Sequence, residues 1–235
     1  MVQKRPKKRI VRKRISNLEK KMNAIAKKQA LRVAESKVSV LPKLSQELYH
    51  NKPWYVPLSI SGGVGFLGNI QQGTSDPNDG TQPALSRVGD EIYLENINVR
   101  CWLSNKDDRP NVMYRLVLFK YQAGITLTDS EVYFTQTNKM LDRYNTEAIK
   151  VLATKMVKST NNYAVDANNH EKSYFTVLNY KPRGGYEKIK YNENATVPKM
   201  WDIGMAIVCY DATGTLQTDN IASAYLNVET KFKDP

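Results

Sequence analysis

Strict alternation of apolar and polar residues marks much of the chain after residue 90 and predicts β strands. One run has apolar side chains at every second position: Ile97, Val99, Cys101 and Leu103. Another run repeats the pattern nearer the C-terminus: Trp201, Ile203, Met205, Ile207 and Cys209. Upstream of the first run, Ile92 and Leu94 are in the opposite phase. Because side chains in a strand alternate strictly, this change of phase predicts a bulge or bend near Glu95 and Asn96.

Eight strands are predicted from patterns of this kind. Residues 112–121 are apolar on both faces, which is typical of a central strand. Residues 129–144 are less periodic and predict a loop with a helical turn. The predicted strands cover 58–70, 91–104, 112–121, 149–158, 173–181, 187–191, 201–209 and 222–232. We therefore predict an all-β fold, an eight-stranded single jelly roll of two packed antiparallel sheets, with a basic and partly helical N-terminal arm.

The N-terminal arm, residues 1–37, is predicted to contain a helix over about 16–36. Ser16 and Glu19 have the spacing of a capping box, and Leu18, Met22 and Ile25 form a narrow apolar stripe. Such a helix is marginal alone, so the stripe predicts self-association. Membrane-surface binding is the weaker alternative, because the stripe has no Trp or Phe. Residues 1–15 are predicted to be disordered, and 38–57, with three prolines, to be a linker to a jelly-roll domain at 58–235.

The whole excess charge of the protein lies in the arm. Residues 1–37 contain fourteen Lys or Arg and two acids, whereas 38–235 contain twenty-one of each, so the arm carries the net charge of +12. The first aromatic residue is Tyr49. The arm can therefore neutralise phosphates but cannot stack bases, which predicts sequence-independent nucleic-acid binding. The predicted contacts are Lys4, Arg5, Lys7, Lys8, Arg9, Arg12, Lys13, Arg14, Lys20, Lys21, Lys27 and Lys28.

The basic run has two other interpretations. Residues 4–14, KRPKKRIVRKR, also fit a nuclear localisation signal, and this agrees with nucleic-acid binding. A merely solubilising tail is the weaker alternative, because so concentrated a charge attracts nucleic acid non-specifically.

Residues that carry catalysis are scarce in this sequence. Gly63-Val64-Gly65-Phe66-Leu67-Gly68 matches a dinucleotide fingerprint by letter, but no helix or βαβ pattern follows, so we reject a cofactor site. His50 and His170 are the two histidines, and no Cys or His spacing fits zinc. Cys101 and Cys209 are expected to be core thiols. We predict no enzyme activity and no cofactor, and we assign no metal ligand.

The order of these features resembles the single jelly-roll capsid proteins of very small icosahedral viruses. Those families are the coat proteins of satellite necrosis viruses and the capsid proteins of circular single-stranded DNA viruses. The residues that carry the resemblance are Arg87-Val88-Gly89-Asp90-Glu91-Ile92, then Ile97-Asn98-Val99-Arg100, then Tyr114-Arg115-Leu116-Val117-Leu118-Phe119. The resemblance implies a closed shell, of about sixty copies in the simplest case, with arms facing inward onto the genome and arm helices gathered in threes.

The sequence thus predicts a viral capsid protein of the virion, with access to the host nucleus through its basic run. Its partners would be copies of itself and a single-stranded genome, with DNA favoured over RNA by the long basic arm, and no membrane. The alternative is a non-viral, basic-tailed β domain that binds nucleic acid as a monomer or trimer. Such a domain needs exposed aromatics beside cations on one sheet, and Arg100 with Trp102 is the pair that the sequence offers.

Overall fold

A computed structural model describes residues 8–57, 64–73, 86–158, 173–193, 195–211 and 216–234. Within these ranges the chain forms two helices, α1 (Lys8–Val33) and α2 (Asp129–Val132). The strands are β1 (Ser36–Tyr49), β2 (Trp54–Val56), β3 (Glu91–Asn105), β4 (Val112–Gln122), β5 (Ile149–Val157), β6 (Ser173–Tyr180), β7 (Glu187–Lys190), β8 (Trp201–Asp211) and β9 (Asn220–Lys233).

The strands form two antiparallel sheets. One sheet has the order β1-β9-β3-β6, with β7 also paired to β3, and we call it the five-stranded sheet. The other, the four-stranded sheet, has the order β2-β8-β4-β5. Partners are nested along the chain: β4 pairs with β5, β3 with β6 and β7, β2 with β8, and β1 with β9. A long hairpin rolled into two sheets gives this nesting, which is the jelly-roll topology predicted from the sequence.

The main core lies between the two sheets and is built from the alternating runs. Val99 and Cys101 of β3 and Met205 and Ile207 of β8 are fully buried in it. A second apolar cluster covers the opposite face of the four-stranded sheet, where Val117 and Phe119 and residues of the 125–148 segment pack together. The strand at 112–121 is therefore buried on both faces, as its double-sided apolar pattern predicts.

The phase change near residue 95 coincides with an irregularity in the pairing of β3. The pairing of β3 with β9 shifts register between Leu94 and Asn96, which confirms the predicted bulge. Ile92, Leu94 and Ile97 all remain in the core on either side of it. One inserted residue thus lets a fifteen-residue strand keep its apolar side chains on one face.

The prediction of a linker at 38–57 is wrong, because these residues form most of β1 and all of β2. The three prolines of this segment indicated a linker, but each is compatible with the strands. Pro42 lies at the register shift between Leu41 and Leu44, on an edge strand, where a missing N–H is tolerated. Pro53 precedes β2, and Pro57 follows it after a cis Val56–Pro57 bond. The jelly roll therefore begins at Ser36 and not at residue 58.

Two further boundaries differ from the predictions. The arm helix begins at Lys8 and ends at Val33, so residues 8–15 are helical where disorder was predicted, and residues 1–7 lie outside the described residues. Long Lys and Arg side chains have good helix propensity, which the argument from charge repulsion underestimated. The strand predicted at 58–70 is a turn over its described part, 64–70.

That turn wraps around a buried carboxylate. The backbone amides of Gly65, Leu67 and Gly68 donate hydrogen bonds to the Asp202 side chain at 2.8, 2.9 and 3.3 Å, and Ile203 N donates a fourth at 2.7 Å. Burial raises the pKa of Asp202 to about 6, and the four amide donors act against that shift. The described glycines of the G-x-G-x-x-G letters therefore form an anion nest whose ligand is a side chain of the protein itself.

Gly65→Ala should destabilise the fold by about 2 kcal/mol or more, because the added Cβ would lie 2.5 Å from Asp202 Cγ and 2.6 Å from the Ile203 carbonyl oxygen. Gly89→Ala is the matched control, since its Cβ would meet nothing within 4 Å. Urea unfolding of both variants measures the difference. Equal losses at the two positions would contradict this account of the turn.

Candidate nucleic-acid interface

Most of the described part of the arm is a solvent-exposed helix. The described side chains of α1 from residue 16 to residue 27 are all exposed, including Lys20 and Lys21. Leu18, Met22 and Ile25 are exposed as well, so the predicted apolar stripe lies on the surface of the single chain. A stripe of large apolar side chains on a helix lowers its free energy when another surface covers it and removes it from water. The geometry is thus suited to association of the helix with a partner.

The C-terminal part of α1 lies against the five-stranded sheet. Lys27 Nζ sits 5.1 Å from the centre of the Tyr93 ring, and a hydrogen bond to Tyr93 raises the pKa of Lys27. Tyr93 falls between the core residues Ile92 and Leu94, so its side chain points to the outer face of the sheet. Leu31, one turn beyond Lys27, is buried. The arm therefore leaves the body from the outer face of this sheet.

A buried ion pair fixes the base of the arm. Lys37 Nζ lies 2.7 Å from Asp234 Oδ2 and donates a hydrogen bond to the Ser86 carbonyl at 3.0 Å, and both side chains are nearly inaccessible to solvent. Asp234 also accepts a hydrogen bond from Val88 N at 2.9 Å. Lys233 Nζ donates to the Ala34 carbonyl at 2.8 Å. The first residues of β1, the 86–88 segment and the C-terminus are thus held at one point.

Arg87, the first residue of the R-x-G-D segment, has a structural role. It is fully buried, and its guanidinium lies 4.0 Å from the centre of the Tyr191 ring. It donates hydrogen bonds to the carbonyls of Gly89 and Ala195 and lies 3.3 Å from Asp90. Arg87 therefore connects the 86–90 and 195 segments inside the protein. It is not a surface contact for a ligand.

Three exposed aromatic residues form a row across the outer face of the five-stranded sheet. In the strand register Trp102 of β3 stands opposite Phe175 of β6 on one side and opposite Tyr225 of β9 on the other. Their exposed fractions are 51%, 63% and 56%. Together they border a shallow open cavity. We call these three residues the aromatic row.

Polar residues and Val177, which stands opposite Arg100 on β6, surround the aromatic row. Arg100 is exposed, two residues from Trp102 on the same face, and stands opposite Asn227 of β9. It forms no ion pair with any residue that the structure describes. On the other side of Trp102, the hydroxyls of Ser104 and Ser173 are 2.7 Å apart. Trp102 therefore lies between the side chain of Arg100 and the hydroxyls of Ser104 and Ser173.

The predicted contact residues of the arm fall into two groups. Lys4, Arg5 and Lys7 lie outside the described residues. The others lie on α1, where Lys20 and Lys21 are exposed and Lys27 is placed over Tyr93. Arg100 and Trp102 share a surface, as the alternation predicts. Phe175 and Tyr225 were not identified from the sequence, because only the strand register brings them beside Trp102.

The residues considered for catalysis are mainly core residues. Cys101 and Cys209 are buried free thiols, and burial raises the pKa of Cys101 to about 12. His50 is also buried, which lowers its pKa, and its Nδ1 accepts a hydrogen bond from Asp211 N. His170 lies outside the described residues. Within the described ranges, no three His, Cys, Asp or Glu side chains gather as a metal site, and no helix is long and apolar enough to cross a bilayer.

Comparison with solved structures finds distant similarities. No family model and no curated protein matches the chain. The chain aligns with a chain of the T13 IBDV viral particle, whose crystal structure is described as a missing link in the evolution of icosahedral viruses. The alignment covers 85% of this chain and 36% of that one, at 9% sequence identity and a TM-score of 0.25. The chain thus spans about a third of that neighbour, and the jelly-roll assignment rests on strand order.

Asp234→Ala should lower the free energy of unfolding by about 3 kcal/mol, because it leaves the buried Lys37 ammonium without its counter-charge. Chemical denaturation measures the loss. Asp107→Ala, at an exposed turn, is the matched control and should stay within about 0.5 kcal/mol. Adding Lys37→Met to Asp234→Ala should recover part of the loss, and a double variant no more stable than Asp234→Ala would contradict the ion-pair explanation.

Proposed function

We propose that this chain is a viral capsid protein that self-assembles into a small icosahedral shell and packages single-stranded nucleic acid through its arm. One observation carries the proposal. All of the excess positive charge lies in a segment that is fixed by buried contacts to an electrically balanced jelly roll. Separating the charge in this way suits a container, since neutral bodies can approach one another while the arms attract a polyanion.

The charge is of the right size for packaging. Each arm carries +12, so a shell of about sixty copies would hold roughly 720 positive charges. That amount would neutralise part of a genome of the order of a thousand nucleotides. Binding by this route releases counterions and does not read sequence. We favour DNA as the cargo, by the resemblance of the long basic arm to those of single-stranded DNA viruses. The same arm would give the chain access to the host nucleus.

The arm helices are proposed to associate with one another inside the shell. Leu18, Met22 and Ile25 are exposed in the single chain and lie along one side of α1. Packing these side chains against the same stripe of neighbouring copies would bury them. The role proposed for the whole chain is structural, without catalysis, and its site of action is the virion.

A second candidate function is a non-viral nucleic-acid-binding protein that acts as a monomer or trimer. The aromatic row favours it, because exposed aromatics beside a cation on a sheet are typical of domains that bind unpaired bases. The two functions differ in assembly. Only the capsid protein forms particles of uniform diameter.

Size-exclusion chromatography and negative-stain microscopy of the full chain should show particles of one diameter when polynucleotide is added at low salt. Deletion of residues 1–14 should leave particles that contain much less nucleic acid, as measured by the ratio of absorbance at 260 and 280 nm. The control keeps the length of the arm and replaces the eight Lys and Arg of residues 4–14 by Gln. It should package as poorly as the deletion, because the charge is what binds phosphate. A small oligomer under all conditions would contradict the capsid function.

Thiol cross-linking tests the association of the arm helices. Met22→Cys places a thiol in the apolar stripe, and Lys20→Cys places one on a different side of the same helix. The native Cys101 and Cys209 are buried, with pKa values raised by burial, and should not react. Oxidation of assembled particles should cross-link Met22→Cys between copies several-fold more than Lys20→Cys. Equal yields would contradict association through the stripe.

A further inference from the structure

The aromatic row has no use in the proposed capsid function. The arm binds phosphates, and the core of the jelly roll is closed without Trp102, Phe175 or Tyr225, since each is more than half exposed. Large aromatic side chains carry much apolar surface, so three of them exposed side by side form a patch that a partner would cover. Their position in the fold indicates what that partner is.

The geometry of the row suits flat ligands. Trp102 stands directly opposite both neighbours, so the three residues follow one line across three adjacent strands. Opposite residues on paired strands lie about 5 Å apart. None of the three rings makes a ring contact with another described aromatic residue. Their faces are therefore available to the π-face of a nucleobase, which every base offers irrespective of sequence.

The residues around the row can bind the phosphate and the polar base edges of a nucleotide whose base stacks on the row. Arg100 supplies a cation without a described ion-pair partner, within reach of a phosphate beside a base stacked on Trp102. Asn227 and the Ser104–Ser173 pair supply groups that can donate to or accept from base edges. This combination of aromatic rings, one arginine and small polar side chains on an open sheet is the one used by sheets that bind single strands.

A second copy of the chain fits this surface less well. A stable protein interface uses about 20 to 30 residues on each side around an apolar centre. Here three rings lie beside one partly exposed valine, Val177, with Arg100, Asn227, Ser45 and Ser104 around them. A patch of this size is large enough to bind one or two nucleotides but too small for a stable protein interface.

The arm and the aromatic row also lie on the same surface. Tyr93, over which Lys27 of the arm is placed, and Trp102 both belong to β3 and both point outward from the five-stranded sheet. Nine residues separate them, which is roughly 30 Å along a strand. A polynucleotide held by the arm can therefore continue along this face to the row without crossing to the other sheet.

We propose that Trp102, Phe175 and Tyr225, together with Arg100, form a platform on which unpaired bases of a single-stranded nucleic acid stack. The platform gives the chain a preference for single strands over duplex, which the arm alone cannot provide, because paired bases in a duplex keep their faces stacked on one another. The proposal concerns the body alone and does not require that a shell forms.

The test compares two probes with the same phosphates. Full-length protein is titrated with a fluorescent oligothymidylate and with an abasic oligonucleotide of the same length, at a salt concentration that weakens the arm's contribution. The protein should bind the oligothymidylate more tightly. Trp102→Ala should lose about 5-fold or more in affinity for that probe and little for the abasic one, since a single stacked base contributes at least that much.

Trp201→Ala is the matched control, because Trp201 is similarly exposed but belongs to the four-stranded sheet. It should keep the preference for the probe with bases. Phe175→Ala repeats the test on the edge strand β6 should Trp102→Ala fold poorly. Quenching of tryptophan fluorescence by the oligothymidylate should diminish in Trp102→Ala and persist in Trp201→Ala.

Two results would overturn the proposal. If Trp102→Ala and Phe175→Ala bind both probes as the native chain does, the row contacts no bases. If these variants change particle size or oligomeric state while leaving both affinities unchanged, the row is an interface between copies. Failure of the chain to assemble, with the preference for bases intact, would instead contradict the capsid function and leave the stacking platform standing.

Discussion

The structure depends on the pairing of its last strand with its first. β9 lies between β1 and β3 and pairs with both along most of its length. β9 is thus a central strand of the five-stranded sheet. The hydrogen bonds of β1 and β3 to their neighbour cannot form until β9 is in place. Pairing across so long a loop costs chain entropy, which the core between the sheets must offset. The ion pair between Lys37 and Asp234 stands at the end of this ladder, where β1 begins and β9 has just ended.

This closure also determines where the charge of the protein lies. Since β1 begins at Ser36, α1 joins the body at one point, and that point is fixed by Lys37 and by the contact of Lys233 with Ala34. Lys27 and the buried Leu31 then place the end of α1 on the outer face of the sheet. The described part of the arm therefore leaves the body beside one face of the five-stranded sheet.

Periodicity predicted the strands that are buried on at least one face, because burial imposes the alternation that a sequence displays. β3, β4, β8 and β9 were found for that reason, as was the bulge at residue 95. β1 was missed because Pro42 resembles a break in the pattern, although an edge strand tolerates it. The aromatic row could be predicted only in part. Alternation puts Arg100 and Trp102 on the same face of β3, although packing was the expected role of Trp102, and Phe175 and Tyr225 join them only through strand register. Register follows from the whole fold, not from any local stretch of sequence.

The arm and the aromatic row would recognise different parts of one polymer, and this makes their contributions separable. Phosphate binding by the arm would release counterions, so it would weaken steeply as salt is raised. Stacking on Trp102 would bury apolar surface and depend much less on salt. The arm alone would hold duplex and single strand alike, whereas the row adds free energy only where bases are unpaired. A protein with both would collect polyanions indiscriminately at low salt and retain single strands selectively as salt rises.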